Sequence, residues 1–252
     1  MALPLALVIA LGSAAPLAAQ PSAEDPLETF NRGSFELNLF LDRLILKPVA
    51  IGYRLITPGF VRTGVANFIH NLKTPVTVAN DILQGEATRA TESVGRFMFN
   101  TILGFGGLVD IGGMLGMPAR HTEDFGQTLA VHGVGSGPYI MMPLLGPSNP
   151  RDLAGLVVDF AFDPFTFFVP SDYSLARRGA DVLSARERNI ETIDELERTS
   201  IDFYAATRTL SRQLRDNEIR NGAPAPLDDA YGEDIYDESI FDEDLDNPAE
   251  GG

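Results

Sequence analysis

Residues 123–152, EDFGQTLAVHGVGSGPYIMMPLLGPSNPRD, decide how this chain is read. Between Asp124 and Arg151 there is no Lys, Arg, Asp or Glu. Glycine recurs at 126, 133, 135, 137 and 146, and proline at 138, 143, 147 and 150. So apolar a stretch with so many breakers is neither one helix nor a disordered linker. It reads as a fixed loop that a core, a partner or lipid must cover. Pro138 to Leu145 is the nearest approach to a strand pattern and can supply a small hairpin. Upstream, Thr122 can cap a short helix through about Val131. Downstream, Asn149-Pro150-Arg151-Asp152 pairs a cap with proline at the first helical position. That helix carries Leu153, Leu156, Val157, Phe160 and Ala161 and ends at Asp163-Pro164. Phe165, Phe167, Phe168 and Val169 then form another apolar patch.

Working toward the N-terminus, Asp25-Pro26-Leu27-Glu28 is a helix start, with Asp as cap and Glu three residues later to reach back to it. The helix should stop at Lys47-Pro48. Its second half, Phe35 to Leu46, is apolar almost all round, as expected of a helix buried in a large protein or lying in lipid. Short helices are expected at about 49–56, 60–72, 76–84 and 86–103, cut by prolines and glycines. Phe97 to Met117 is as long as a bilayer span, but six glycines and Asp110 make a poor lone helix in lipid. Two short helices meeting at a glycine bend fit better. Leu3 to Leu11 followed by small residues reads as a secretory signal cleaved after Ala19, although no Lys or Arg precedes it.

From Asp172 to Glu218, apolar residues recur near helical spacing among frequent charges, giving two amphipathic helices that break near Thr199-Ser200. Asn221-Gly222 ends them. The domain reading is therefore a signal over 1–19, one helical domain over 20–222 and an acidic tail over 223–252. The formal charge is −16, but Leu227 to Gly252 holds eleven acids and no Lys or Arg. The rest has 24 acidic and 19 basic residues, a net of −5. Such a tail repels itself and stays disordered. The body lacks the basic patch that nucleic acid requires. The absence of cysteine removes disulfides, thiolate chemistry and lipidation at an N-terminal Cys.

No phosphate-binding glycine loop with Lys and Ser or Thr is present. The glycines at 133, 135 and 137 resemble a dinucleotide loop only superficially, since no strand precedes them and Pro138 follows. Ser136 lacks the spacing of a nucleophile elbow. His121, Glu123, Asp124 and His132 can be drawn as a metal cluster, but no helix sets two His four apart. Glu123 and Asp124 fit better at a helix N-terminus. Neither a cofactor nor a metal is expected. Asp110 and Asp159 stand alone on apolar segments.

The ordered run Asp25-Pro26-Leu27-Glu28, Phe30-Asn31-Arg32, Leu46-Lys47-Pro48-Val49-Ala50, Gly64-Val65-Ala66-Asn67-Phe68 and Asn71-Leu72 resembles the MlaA/VacJ family of outer-membrane lipid-asymmetry proteins. The likeness continues through Leu83-Gln84-Gly85, Arg96-Phe97, Asn100-Thr101, Gly106 to Asp110, Glu123 to Leu129, Gly133 to Tyr139, Pro143 to Ser148 and Arg151-Asp152. It implies a mostly α fold, a ring of short amphipathic helices lying in one leaflet of the Gram-negative outer membrane around an amphipathic channel. The implied function is transport, not catalysis: phospholipid leaves the outer leaflet through the channel for a periplasmic lipid-binding carrier and an inner-membrane ABC transporter. A porin trimer is the implied scaffold. The channel residues this suggests are Asn38, Asn67, Phe68, Asn71 and Asp110, with Gly133, Gly135 and Gly137 as a gating hinge. Each asparagine can equally cap or pack against a neighbouring helix, and the glycines can equally form a rigid turn. Familiar members carry a lipidated Cys that this sequence lacks, so retention would rest on the apolar surface and the porin. The alternative is a periplasmic adaptor built on the 172–218 helices and the tail.

Overall fold

The computed structural model describes residues 25–224. The expected signal segment and acidic run lie outside them. Helices dominate: α1 (Glu28–Leu41), a π turn (Asp42–Leu46), α2 (Lys47–Ile56), α3 (Gly59–Leu83), α4 (Ala87–Ile102), α5 (Ile111–Met114) and α6 (Phe125–Val131). Strands β1 (Ile140–Met142) and β2 (Gly146–Ser148) form an antiparallel hairpin, with Ile140 opposite Ser148. Then come α7 (Pro150–Phe162), α8 (Phe165–Phe168), α9 (Ser171–Arg188), α10 (Ile190–Thr199) and α11 (Phe203–Ile219). The mostly α expectation holds. Among the described residues no helix is long and apolar enough to cross a membrane, and Phe97–Met117 divides between the end of α4, a turn region and α5.

Several expected boundaries move. Lys47-Pro48 does not stop the first helix, because one π turn precedes it and Pro48 falls at the start of α2. A π turn changes the carbonyl spacing where Pro48 brings a ring and no N–H. Pro75 likewise sits inside the 25-residue α3, which the sequence reading cuts in two. Packing along the whole of α4 outweighs one lost backbone bond, and the Thr74 hydroxyl donates to the His70 carbonyl at 3.2 Å beside the proline. Asp124, not Thr122, caps α6, accepting from the Gln127 amide at 2.9 Å. Asn149 caps α7 as expected, and Asp163 ends it. The 172–218 region has a break at Asn189 as well as the expected one near Ser200, giving three helices.

The distribution of polarity is inverted. Of the buried residues described, nineteen are polar or charged and eight are apolar, the reverse of a water-soluble core. On α3 the buried face is Ile69, Asn71, Thr74, Thr77, Asn80 and Asp81; on α4 it is Ala90, Ser93, Arg96 and Asn100. These stripes meet across the α3–α4 pair, and the apolar faces turn outward, with Phe60 79 % and Ile102 71 % exposed. The opening helix is joined to α9 and α10 by charge. Lys47 pairs with Asp194 at 2.8 Å, Arg54 with Glu187 at 2.8 Å, Arg186 with Asp42 at 2.7 Å, and Arg43 with Glu197.

A small apolar cluster of Phe35, Tyr139, Met141 and Tyr204 joins α1, the hairpin and α11. Under it lies Asn31, fully buried. Its amide donates to Asp25 at 2.8 Å and to the Tyr139 carbonyl at 3.0 Å, and its oxygen accepts from the Met141 amide at 2.8 Å. Asp25 is therefore not the cap expected of it. Its carboxylate accepts from Asn31 and the Tyr204 hydroxyl, while Leu27 opens α1 with no side-chain cap. Asn31→Ala leaves a carboxylate, a carbonyl and an amide short of partners, and should cost about 3 kcal/mol of unfolding free energy. Denaturant unfolding in detergent measures this, and a loss under about 1 kcal/mol would show that water replaces the amide.

Candidate functional site

The polar seam between α3 and α4 fixes the glycine-rich turn after α4. Arg96 donates two bonds to Asp110, at 2.6 and 2.8 Å, and Asn100 donates a third at 3.2 Å. Asp110 also caps α5 through the Gly113 amide. Burial opposes its ionisation, but the Gly113 amide and Arg96 hold its carboxyl below the usual Asp range. Asn71, buried, donates to Thr101 at 2.9 Å and to the Gly106 carbonyl at 3.2 Å. Gly107, at φ +102°, lies so close that a Cβ there would stand 2.4 Å from the Asn71 side chain. Asn67 donates to the Leu108 carbonyl at 3.4 Å and accepts from Arg120 at 2.6 Å. Burial, with Arg120 and Lys73 nearby, pushes the His70 pKa down to about 4 and keeps the ring neutral at pH 7.

A second polar cluster lies toward the other end of α3. Asp81, His121 and Glu123 bring their ligand-type atoms within 4.8 Å. Of the four residues that could be drawn as a metal cluster, His121 and Glu123 meet here, with Asp81 in place of Asp124 and His132. Asp124 caps α6, and His132 bonds the Thr128 carbonyl at 2.8 Å. The cluster is internally partnered: His121 Nε2 meets Asp81 at 3.0 Å, Ser93 donates to Asp81 at 3.2 Å, and Arg89 and Gln84 donate to Glu123 at 2.6 and 3.0 Å. A cation would have to displace these groups and sit beside the Arg89 guanidinium. Ser93, His121 and Asp81 do not form a nucleophile relay, because the same ring nitrogen faces both Ser93 and Asp81.

Two cavities flank α6 and α7. One, of about 820 Å³, lies between the hairpin, α7 and α11; the other, of about 390 Å³, lies between α3, α7 and α9. They share Asp124, Leu156 and Asp159 as common wall. Asp159 accepts from the Phe125 amide and from Asn80, each at 3.0 Å, while burial raises its pKa. α6 and α7 touch backbone to backbone, since a Cβ on Gly155 would lie 2.3 Å from the Gly126 nitrogen. Arg215 of α11 closes the wall, bidentate to Asp124 at 2.7 Å and bonded to Asp152 at 2.9 Å.

The residues singled out in the sequence divide by place. Asn67, Phe68, Asn71 and Asp110 gather around the 104–113 turn, with Phe68 partly exposed. Asn71 borders a small cavity of about 20 Å³ there and is not on the two larger ones. Asn38 stands apart, donating to the Met142 carbonyl at 2.9 Å and accepting from the Leu144 amide at 2.7 Å. It thereby holds a leucine at φ +66°. Gly133 and Gly137 take positive φ and Gly135 does not; only Gly137 lines the larger cavity. The sequence reading misses Lys73, Arg177, Arg178 and Arg215 on the cavity walls. Charge on an amphipathic helix carries no mark of what it will face.

The Arg215 clasp has a pH signature. Burial opposes ionisation of Asp124 and Asp152, but Arg215 outweighs it and holds both below the usual Asp value of 3.8. Folded-state values below the unfolded ones mean that the clasp contributes fully above that value and is lost as pH falls through the folded values. Arg215→Met should cost about 3 kcal/mol at pH 7, because it strips the partly buried Asp124 of this cation and leaves Asp152 with Arg151 alone. The gap to wild type should narrow as pH drops below 3.8. Denaturant unfolding at a series of pH values checks this, and a gap independent of pH would contradict it.

A family model described as MlaA lipoprotein matches residues 23–218. The chain is 34 % identical over 228 residues to the intermembrane phospholipid transport system lipoprotein MlaA of Escherichia coli (strain K12), covering 89 % of this chain and 90 % of that one. It is 33 % identical over 201 residues to the protein of that name from Haemophilus influenzae, covering 79 % and 80 %. An uncharacterized protein of Rickettsia felis is 36 % identical over 197 residues, 78 % of each chain. A structure solved in work on the structural basis for maintenance of bacterial outer membrane lipid asymmetry superposes with a TM-score of 0.70 at 35 % identity, covering 77 % of this chain and 98 % of that one. With the family model matched over most of its length and a helical architecture on the same plan, this chain belongs to the MlaA lipoprotein family.

Proposed function

We propose that this chain carries phospholipid out of the outer leaflet of the outer membrane, through an amphipathic passage, to a periplasmic carrier for return to the inner membrane. The observation that carries the reading is the inverted polarity. The apolar faces of α1 to α4 suit acyl chains, and the polar interior suits headgroups. The helices lie in the periplasmic-side leaflet rather than cross it. The apolar perimeter and a porin trimer hold the protein in that leaflet. An inner-membrane ABC transporter drives the carrier's return path. The chemistry is transport without catalysis.

In this account the passage includes the two cavities beside α6 and α7. Asn38 and Gly137 shape its hairpin wall, while Asn67, Asn71 and Asp110 fix the 104–113 turn against the polar seam. Phe68 packs beside that turn, and the glycines at 133, 135 and 137 give the loop before the hairpin its freedom to move.

Deleting the gene should raise outer-leaflet phospholipid, read by an enzyme that acylates lipid A only when phospholipid is available there. The intact gene should reverse the rise. Asn38→Ala, which releases Met142 and Leu144, should reverse it less fully at equal protein level. No rise on deletion, with detergent resistance unchanged, would overturn the transport reading in favour of the adaptor.

A further inference from the structure

We propose that the N-terminal half of α9, residues 172–181, is a side door to the 390 Å³ cavity, latched by the ion pairs Lys73–Asp181 and Arg177–Asp163. The inference rests on the transport reading and names where lipid enters.

The two halves of α9 are held differently. Residues 172–180 include none that is buried, and Tyr173 and Leu175 are 67 % and 73 % exposed. The second half buries Ser184, Arg186 and Glu187, and is fixed to the opening helix through Arg186–Asp42 at 2.7 Å and Glu187–Arg54 at 2.8 Å. The first half is nevertheless the cavity wall, presenting Arg177, Arg178 and Asp181 opposite Lys73 and Phe160. Its attachments among the described residues include the two ion pairs, the Arg178 guanidinium 5.1 Å from the centre of the Phe160 ring and the Arg177 guanidinium 5.5 Å from that of Phe165. At its N-terminal end, Val169 and Pro170 are extended, a joint between α8 and α9.

A wall held by apolar packing resists opening, because water must enter the gap. An exposed ion pair does not resist in this way, since it contributes little and its partners can be exchanged. Lys73–Asp181 is of that kind, while Arg177–Asp163, with side chains 16 % and 8 % exposed, is the firmer latch and yields only when another anion takes the guanidinium. A phosphodiester is such a partner. It accepts the same charge-assisted bonds from Lys73 and Arg177 that Asp181 and Asp163 now accept. An arriving headgroup therefore binds the open state better than the closed one, as a ligand must in order to shift the equilibrium. The second half of α9 stays anchored and serves as the pivot.

The absence of native cysteine makes the test direct. Val76→Cys places the only thiol in the cavity, and its reaction rate with a bulky maleimide is followed on the purified full-length protein in nanodiscs. Lys73→Asp and Asp181→Lys should each raise the rate about fivefold, on the scale of losing one exposed ion pair. The double exchange, Lys73→Asp with Asp181→Lys, should restore the original rate. Met141→Cys, at a site 2 % exposed, reports global loosening in the same backgrounds. A rise at Val76 that the double exchange reverses, with Met141 unreactive, supports the door. Unchanged rates, a rise at both sites, or no restoration by the double exchange overturns it. Transport itself is read by the outer-leaflet assay on wild-type protein, so the two readings fail separately.

Discussion

Two neighbouring helices, α3 and α4, turn their polar stripes toward each other, and this inversion constrains everything around them. Asn71 and Thr74 border a small cavity with Ser93, Arg96 and Asn100, Asp81 accepts from Ser93, and Thr77 and Asn80 reach on to Glu123, Thr128 and Asp159. Buried polar groups are tolerable only when each is answered, so the turn 104–113, the strand-free segment before α6, and α7 are all drawn in to supply partners. Asp110 answers Arg96 and Asn100; Glu123 answers Gln84 and Arg89; Asp159 answers Asn80. The glycines at 107 and 155 follow from the same demand, because backbone must come within bonding distance of side chain and of backbone. The apolar residues displaced from the interior form the perimeter.

The same inversion explains why the rest of the chain is fastened by charge. The opening helix faces α9 and α10 with Arg43, Lys47 and Arg54, while its Phe40, Leu44, Ile45 and Leu55 are exposed. Ion pairs partly shielded from water gain strength relative to exposed ones. They also leave the elements that carry them free to part without exposing a dry core. α11 follows the rule through Arg215, and α9 follows it along its length.

How much of this was legible in the sequence depends on range. Local signals were readable: Asn149-Pro150 opens α7, Asp163-Pro164 ends it, and glycine density forbids a span at 97–117. Prolines misled, because Pro48 and Pro75 are absorbed by a π turn and by packing that the sequence does not show. The polar stripe was present as spacing, 71, 74, 77 and 81 against 93, 96 and 100, but a search for apolar periodicity passes over it. The clasp was not legible at all, since Arg215 lies 91 residues from Asp124. The family resemblance named the right fold, and in this geometry Asn38 bonds the hairpin while Asn71 and Asp110 bond the 104–113 turn.

The central claim is that the apolar perimeter, not a buried core, meets acyl chains. It is tested most directly by placing a single fluorophore on the cysteine-free chain at Phe60, Ile102 or Glu195, reconstituting the protein in bilayers, and adding lipids brominated at known acyl depths. The account predicts strong quenching at Phe60 and Ile102 by bromines in one leaflet, and little at Glu195, an exposed α10 residue paired with Arg198. Equal quenching at all three sites, or none at Phe60 and Ile102, would contradict it.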